Sequence, residues 1–132
     1  MKSYYSLGLM SGTSGDGVDA SIIQSDGVNT YKVILNKYFQ YDKYIYENIH
    51  WLISLIKDSR DLKRFSKDVK KLEKIITLFH AKVVKEIIKE SKTNINLIGF
   101  HGQTILHSLG RLVSDEKISK QLGDAKLLAR LT

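Results

Sequence analysis

Cysteine is missing from all 132 residues, which excludes disulfides and thiolate metal centres and fits a reducing compartment. Proline is missing too, an unusual composition to which no mechanism attaches. No apolar run reaches the length of a signal-peptide core or a membrane span, and Met1 to Met10 go straight into strand-like alternation with one basic residue. The expected location is the cytoplasm, with no membrane partner. Acidic residues are the scarcer charge, 14 against 21 Lys plus Arg, for a formal charge of +7. That balance suits nucleic acid, an anionic surface or a phosphorylated ligand. Most of the excess is lysine, and Lys63, Lys67, Lys70, Lys71, Lys74, Lys82, Lys85 and Lys89 interleave with an apolar stripe. A solvated helix face explains them. At 42% hydrophobic and 27% charged, the chain has the composition of one globular unit with a modest core.

Residues 7–21 carry the most specific signal. Tyr5, Leu7 and Leu9 alternate, a loop follows with Gly12, Gly15 and Gly17, and Val18, Ala20 and Ile22 resume the alternation, so a strand, a tight turn and a second strand are expected. Glycines among hydroxyls let a backbone take positive φ and approach a ligand closely, so that successive N–H groups form an anion-binding concavity. Phosphate is the natural guest. Thr13 and Ser14 add hydroxyl donors, and Asp16 and Asp19 suit the water shell of a magnesium ion. A Walker loop requires lysine and then Ser or Thr after its last glycine, where Val18 and Asp19 stand, and the dinucleotide fingerprint requires its glycines to open a helix. Neither fits. A ligand-free glycine hairpin is the alternative, because Gly and Asp are ordinary turn residues.

Farther along, Asp26-Gly27-Val28-Asn29 signals a turn and residues 31–39 a third strand, giving an antiparallel meander. Ile45, Ile49, Leu52 and Ile56 then recur at helical spacing, ending in a polar run from Lys57 to Asp61. A longer helix is predicted over 67–91 from Val69, Leu72, Ile76, Phe79, Val83 and Ile87. Residues 95–100 read as a buried parallel strand delivering His101-Gly102-Gln103-Thr104 to its carboxyl end, where α/β sheets bind ligands. Residues 108–120, with Gly110, read as a loop, and Gly123-Asp124 as the cap of a last helix through Leu131. The fold class expected is α/β. His101 and His107 lack the spacing and partner carboxylate of a zinc site, and His50 and His80, within helices, read as structural or solvent-facing.

Met10-Ser11-Gly12-Thr13-Ser14 followed by Asp16-Gly17-Val18-Asp19 resembles the amino-terminal signature of the anhydro-N-acetylmuramic acid kinases, in the sugar kinase, Hsp70 and actin superfamily. His101-Gly102-Gln103-Thr104 with His107 is similar to a second motif of that family, and Gln121-Leu122-Gly123-Asp124 to a third. The family usually has leucine at the place of Gly15, proline near Ser108 and Leu109, and an apolar residue at Lys120; the extra glycine is expected to loosen the loop. The resemblance implies the first part of a ribonuclease-H-like domain, residues 1–132 being the opening portion of a two-domain kinase. It also implies ATP and Mg2+, with the nucleotide phosphates on Gly12, Thr13, Ser14, Gly15, Asp16, Gly17, Val18 and Asp19, and the magnesium held through water by Asp16 and Asp19. Substrate, an anhydro amino sugar, would lie near His101, Gln103 and Thr104. The family's general base, an aspartate, lies past the last helix, so no catalytic residue is expected here. A truncated or split enzyme is the implication, with an unpaired sheet edge, an uncovered apolar face and a complementing polypeptide or homodimer as partner. The rivals are a basic nucleic-acid-binding module, supported by the charge and seven tyrosines, and a nucleotide-binding protein that is not an enzyme.

Overall fold

Alternation in the first forty residues produces three strands, β1 (Tyr4–Ser11), β2 (Gly17–Ser25) and β3 (Tyr31–Gln40), each paired antiparallel with the next. The computed structural model describes residues 2–108 and 117–132. The turn between β2 and β3 is held by Asp26, whose carboxylate accepts from the backbone N–H groups of Val28, Asn29 and Thr30; these bonds lower its pKa to about 2. Three helices follow, α1 (Lys43–Leu55), α2 (Ser59–Arg64) and α3 (Ser66–Ser91), and then β4 (Leu97–Ser108), β5 (Ile118–Leu122) and α4 (Ala125–Leu131).

The sheet has the order β3-β2-β1-β4-β5, with β4 parallel to β1 and β5 antiparallel to β4. The fold is α/β with a mixed sheet, as expected, although three boundaries differ. The polar run after α1 forms the extra short helix α2, because Asp58 caps it by accepting from the Asp61 N–H. β4 runs through the His101-Gly102-Gln103-Thr104 tetrad to Ser108 instead of stopping at Phe100. Ile118 to Lys120, read as loop, belong to β5, which pairs with the second half of β4; residues 109–116, including Gly110, lie outside the described residues.

Helices cover one sheet face. Leu7 and Leu9 of β1 and Val18, Ala20 and Ile22 of β2 form the core with Ile45, Ile49 and Leu52 of α1 and Ile76, Val83, Val84 and Ile87 of α3. Each fully buried Ile or Leu contributes about 1.5–3 kcal/mol, so this stripe, more than helix propensity, fixes the long α3. The eight lysines named above are all exposed. On the other sheet face Gly8, Met10 and Asp19 are exposed, with Leu97 at 63%. From Leu97 to Gly102, β4 has β1 on one side and no strand on the other among the described residues. Beside that edge runs a groove of about 440 Å³, lined by Ile88, Ile95, Ile98, Phe100, Leu128 and Ala129 among others. Among the described residues no helix is long and apolar enough to cross a membrane.

Candidate nucleotide-phosphate site

The glycine segment closes as a turn: the Gly15 N–H donates to the Gly12 carbonyl at 3.2 Å. Of its three glycines only Gly15 has positive φ, +66°. It is buried, and a β-carbon there would stand 3.0 Å from Ile49 Cγ2 and 3.2 Å from His50 Nε2. The position is therefore closely packed, in contrast to the looseness expected from an extra glycine. Gly17 is required for a different reason, since a β-carbon would run into the Phe39 carbonyl and the Tyr38 ring. Among the described residues nothing lies within 4 Å of a β-carbon placed on Gly12. Gly12, Thr13 and Ser14 are exposed, and neither hydroxyl has a partner among the described residues. This is an open crest with donors free for an anion.

Val18 is fully buried and serves the core. Asp16 and Asp19 are exposed, and both act on one neighbour, Tyr38, whose pKa is raised by partial desolvation and then by these two carboxylates. A hydrated magnesium ion takes one or two carboxylates through its water shell, which leaves these two exposed side chains as candidates for one. No third acidic or histidine side chain joins them into a direct metal cage among the described residues.

The second motif arrives beside the loop because β4 is parallel to β1, with Ser11 opposite Gln103. Between the pairs Leu9 with Phe100 and Ser11 with Gln103, β4 has one residue more than β1, and Gly102 has φ +81°. A bulge of this kind turns the following side chain to the other face. Gln103 thus points under the loop, fully buried, its Nε2 donating to the Gly12 carbonyl at 2.9 Å and to the Thr104 carbonyl at 3.1 Å. The Tyr41 hydroxyl lies 3.1 Å from Gln103 Oε1 and 3.0 Å from Ser11 Oγ, and Ser11 Oγ is 3.2 Å from His80 Nε2. His80 is buried, so desolvation lowers its pKa, while burial pushes Tyr41 up to about 12. Both are neutral near pH 7. Thr104 is buried as well, whereas His101 and His107 are exposed; His101 Nδ1 lies 3.0 Å from the Gly102 carbonyl.

Gln121-Leu122-Gly123-Asp124 forms the passage from β5 into α4. The Gly123 N–H donates to Glu73 and the Asp124 N–H to Thr77, both on α3, and the Asp124 side chain caps α4 by accepting from the Leu127 N–H. Sequence reasoning gave no role to Ser11 or Tyr41 and left His80 as structural or solvent-facing; the structure makes it structural and buried. For His80 a signal existed: it is a polar residue inside the apolar stripe of α3, four residues after Ile76.

The family model of anhydro-N-acetylmuramic acid kinase matches residues 4–132. Proteins named anhydro-N-acetylmuramic acid kinase are 54% identical over 130 residues in Pelagibacter ubique, 35% over 129 in Agrobacterium fabrum and 34% over 126 in Rhodospirillum rubrum. The matches take in 98%, 96% and 96% of this chain and 33%, 33% and 31% of those proteins, so the chain spans about a third of the length of the curated relatives it matches. The chain belongs to the anhydro-N-acetylmuramic acid kinase family.

Proposed function

We propose that this chain carries the nucleotide-phosphate part of a cytoplasmic kinase that transfers the terminal phosphoryl group of ATP to 1,6-anhydro-N-acetylmuramic acid. In that reaction water opens the anhydro ring at one end while the oxygen released at the other takes the phosphoryl group, giving N-acetylmuramic acid 6-phosphate. The observation that carries the reading is the open crest at Gly12, Thr13 and Ser14, with unpartnered hydroxyls beside two exposed carboxylates. Gly12 gives a phosphate close access to the backbone, Thr13 and Ser14 donate to its oxygens, and Asp16 and Asp19 hold the magnesium through water. Magnesium would supply charge neutralisation at the phosphoryl oxygens, on which such transfer depends. His101, exposed at the bulge of β4 next to the loop, is the side chain of its motif that is free to meet the sugar. The ribonuclease-H-like superfamily assignment and residues 1–132 as the opening part of its first domain belong to the same reading, as does a complementing polypeptide or second copy.

Titration with magnesium-ATP and with an oligonucleotide at two salt concentrations tests it. Saturable nucleotide binding competed by ADP is expected; oligonucleotide binding that weakens steeply with salt, without nucleotide binding, would replace it with the nucleic-acid reading. A coupled ADP-release assay with the anhydro sugar, run with the chain alone and with a family carboxyl-terminal fragment added, tests the transfer itself.

A further inference from the structure

Four buried polar side chains from four separate segments meet beneath the glycine loop: Ser11 at the end of β1, Tyr41 before α1, His80 on α3 and Gln103 on β4. Their hydrogen bonds admit one assignment of donors. The Ile76 carbonyl, 2.8 Å from His80 Nδ1, can only accept, so Nδ1 carries the proton and Nε2 of the neutral ring accepts from the Ser11 hydroxyl. The Gly12 and Thr104 carbonyls likewise fix which end of the Gln103 amide is NH₂. Gln103 Oε1 and Ser11 Oγ are then both acceptors for the single Tyr41 proton, which lies between them. No polar atom of the four is left over, and a buried network satisfied in this way specifies one arrangement.

The arrangement bears on the loop at three points. Ser11 and Asp16 flank the turn, and Tyr41 holds both, through its hydroxyl to Ser11 and through its backbone N–H to the Asp16 carbonyl at 2.9 Å. Gln103 holds the middle, because the Gly12 carbonyl it reaches is the one that closes the turn with the Gly15 N–H. Among the described residues no side-chain packing holds Gly12, where a β-carbon would meet open space.

We propose that Gln103, Tyr41, Ser11 and His80 are positioning residues for the loop, setting its affinity for the phosphates of magnesium-ATP through the Gly12 carbonyl and without touching the ligand. This rests on the phosphate-loop reading above. Gln103 thereby acts from under the loop and not as a sugar ligand.

The direct readout is amide hydrogen exchange at Gly15, followed by NMR in the full chain, together with a magnesium-ATP titration. Gln103→Glu keeps the shape and replaces the two N–H donors by a carboxyl that can donate at most one hydrogen bond; Tyr41→Phe removes the shared hydroxyl and keeps the ring on Phe79, 5.0 Å away between centroids. Ile22→Val, a core truncation remote from the network, is the control for general destabilisation. Exchange at Gly15 is expected to rise about tenfold in Gln103→Glu and roughly threefold in Tyr41→Phe, with the nucleotide Kd rising by similar factors and neither change in the control. Should Gln103→Glu not fold, Tyr41→Phe decides. Exchange unchanged in the folded variants, or raised equally by Ile22→Val, overturns the network's hold on the loop. Faster exchange with an unaltered Kd overturns its role in binding. If the parent chain binds no nucleotide the phosphate reading fails, and the exchange data still decide whether the network positions the loop.

Discussion

Gly15 lies directly against His50: its φ is +66°, and a β-carbon there would stand 3.2 Å from His50 Nε2, a buried nitrogen with no hydrogen-bond partner among the described residues. The three loop glycines consequently make different demands. Gly15→Ala should cost about 1–2 kcal/mol through the left-handed backbone. Gly17→Val should cost more, by collision with the Phe39 carbonyl and the Tyr38 ring. Gly12→Val meets open space among the described residues, so its melting temperature should match the parent's while magnesium-ATP binding falls at least tenfold. Thermal melts paired with nucleotide titrations separate these cases, and a Gly12→Val chain that binds as tightly as the parent removes phosphate from the crest.

Much of this was readable from periodicity. The apolar stripe of α3 runs over seven turns, long enough for a 3.6-residue period to stand out, and its limits shift by only one residue, from Lys67 to Ser66 at the start. β5 was not readable: it has five residues, and Ser119, Lys120 and Gln121 make it look like a loop until β4 provides an edge. Gln103 was expected beside the substrate from the family resemblance, and its burial under the loop is not what alternation alone suggests. Period-two counting puts it on the face opposite Phe100, but the bulge at His101 and Gly102 inverts the count. A glycine within a strand pattern is itself a bulge signal, so Gly102 held the missing information. Nothing local to Tyr41 pointed to Ser11 or Gln103, because that meeting is made by the parallel pairing of β1 and β4.

The buried network should give the chain an intermediate-pH stability window. His80 has a lowered folded pKa, so below about 6.5 the unfolded chain binds the proton that the folded chain refuses, and stability falls as pH drops toward the folded value. Tyr41 stays protonated to about 12 when folded. Above about 10 the unfolded phenol ionises first, and stability falls as pH rises, by at most about 1.4 kcal/mol per pH unit. Denaturant titrations of the parent and Tyr41→Phe across this range check the alkaline limb: the variant should lose much of the decline, and equal declines would assign it to other groups.

α4 depends on a relay from α3. The Thr77 hydroxyl donates to the Glu73 carbonyl and accepts from the Asp124 N–H, while the Asp124 carboxylate caps the helix. Asp124→Ala should cost about 1 kcal/mol as a lost cap. Thr77→Val should cost about 1–3 kcal/mol by stranding a partly buried N–H. Because Asp124 takes part in both interactions, the double variant should cost less than the sum of the two. Urea denaturation of the single and double variants measures this coupling, and strict additivity would mean that the relay is not a unit.

Asp16 and Asp19 are separable from stability because both are exposed, so Asp16→Asn and Asp19→Asn should melt as the parent does. Their charge can be followed without any ligand, since both raise the pKa of Tyr38. Each substitution should lower that pKa in an ultraviolet titration of the tyrosines, which establishes that the carboxylate field has been reduced. If magnesium sits in that field through its water shell, each variant should need several-fold more magnesium to reach half-maximal ATP binding. In that arrangement each carboxylate would contribute charge and hydrogen bonds to coordinated water, without a direct metal bond, so neither variant should abolish binding. Total loss in one of them would indicate a direct ligand. A shifted Tyr38 titration with an unchanged magnesium requirement would place the ion elsewhere, and would leave the hydroxyls of Thr13 and Ser14 with the loop amides as the whole of the phosphate site.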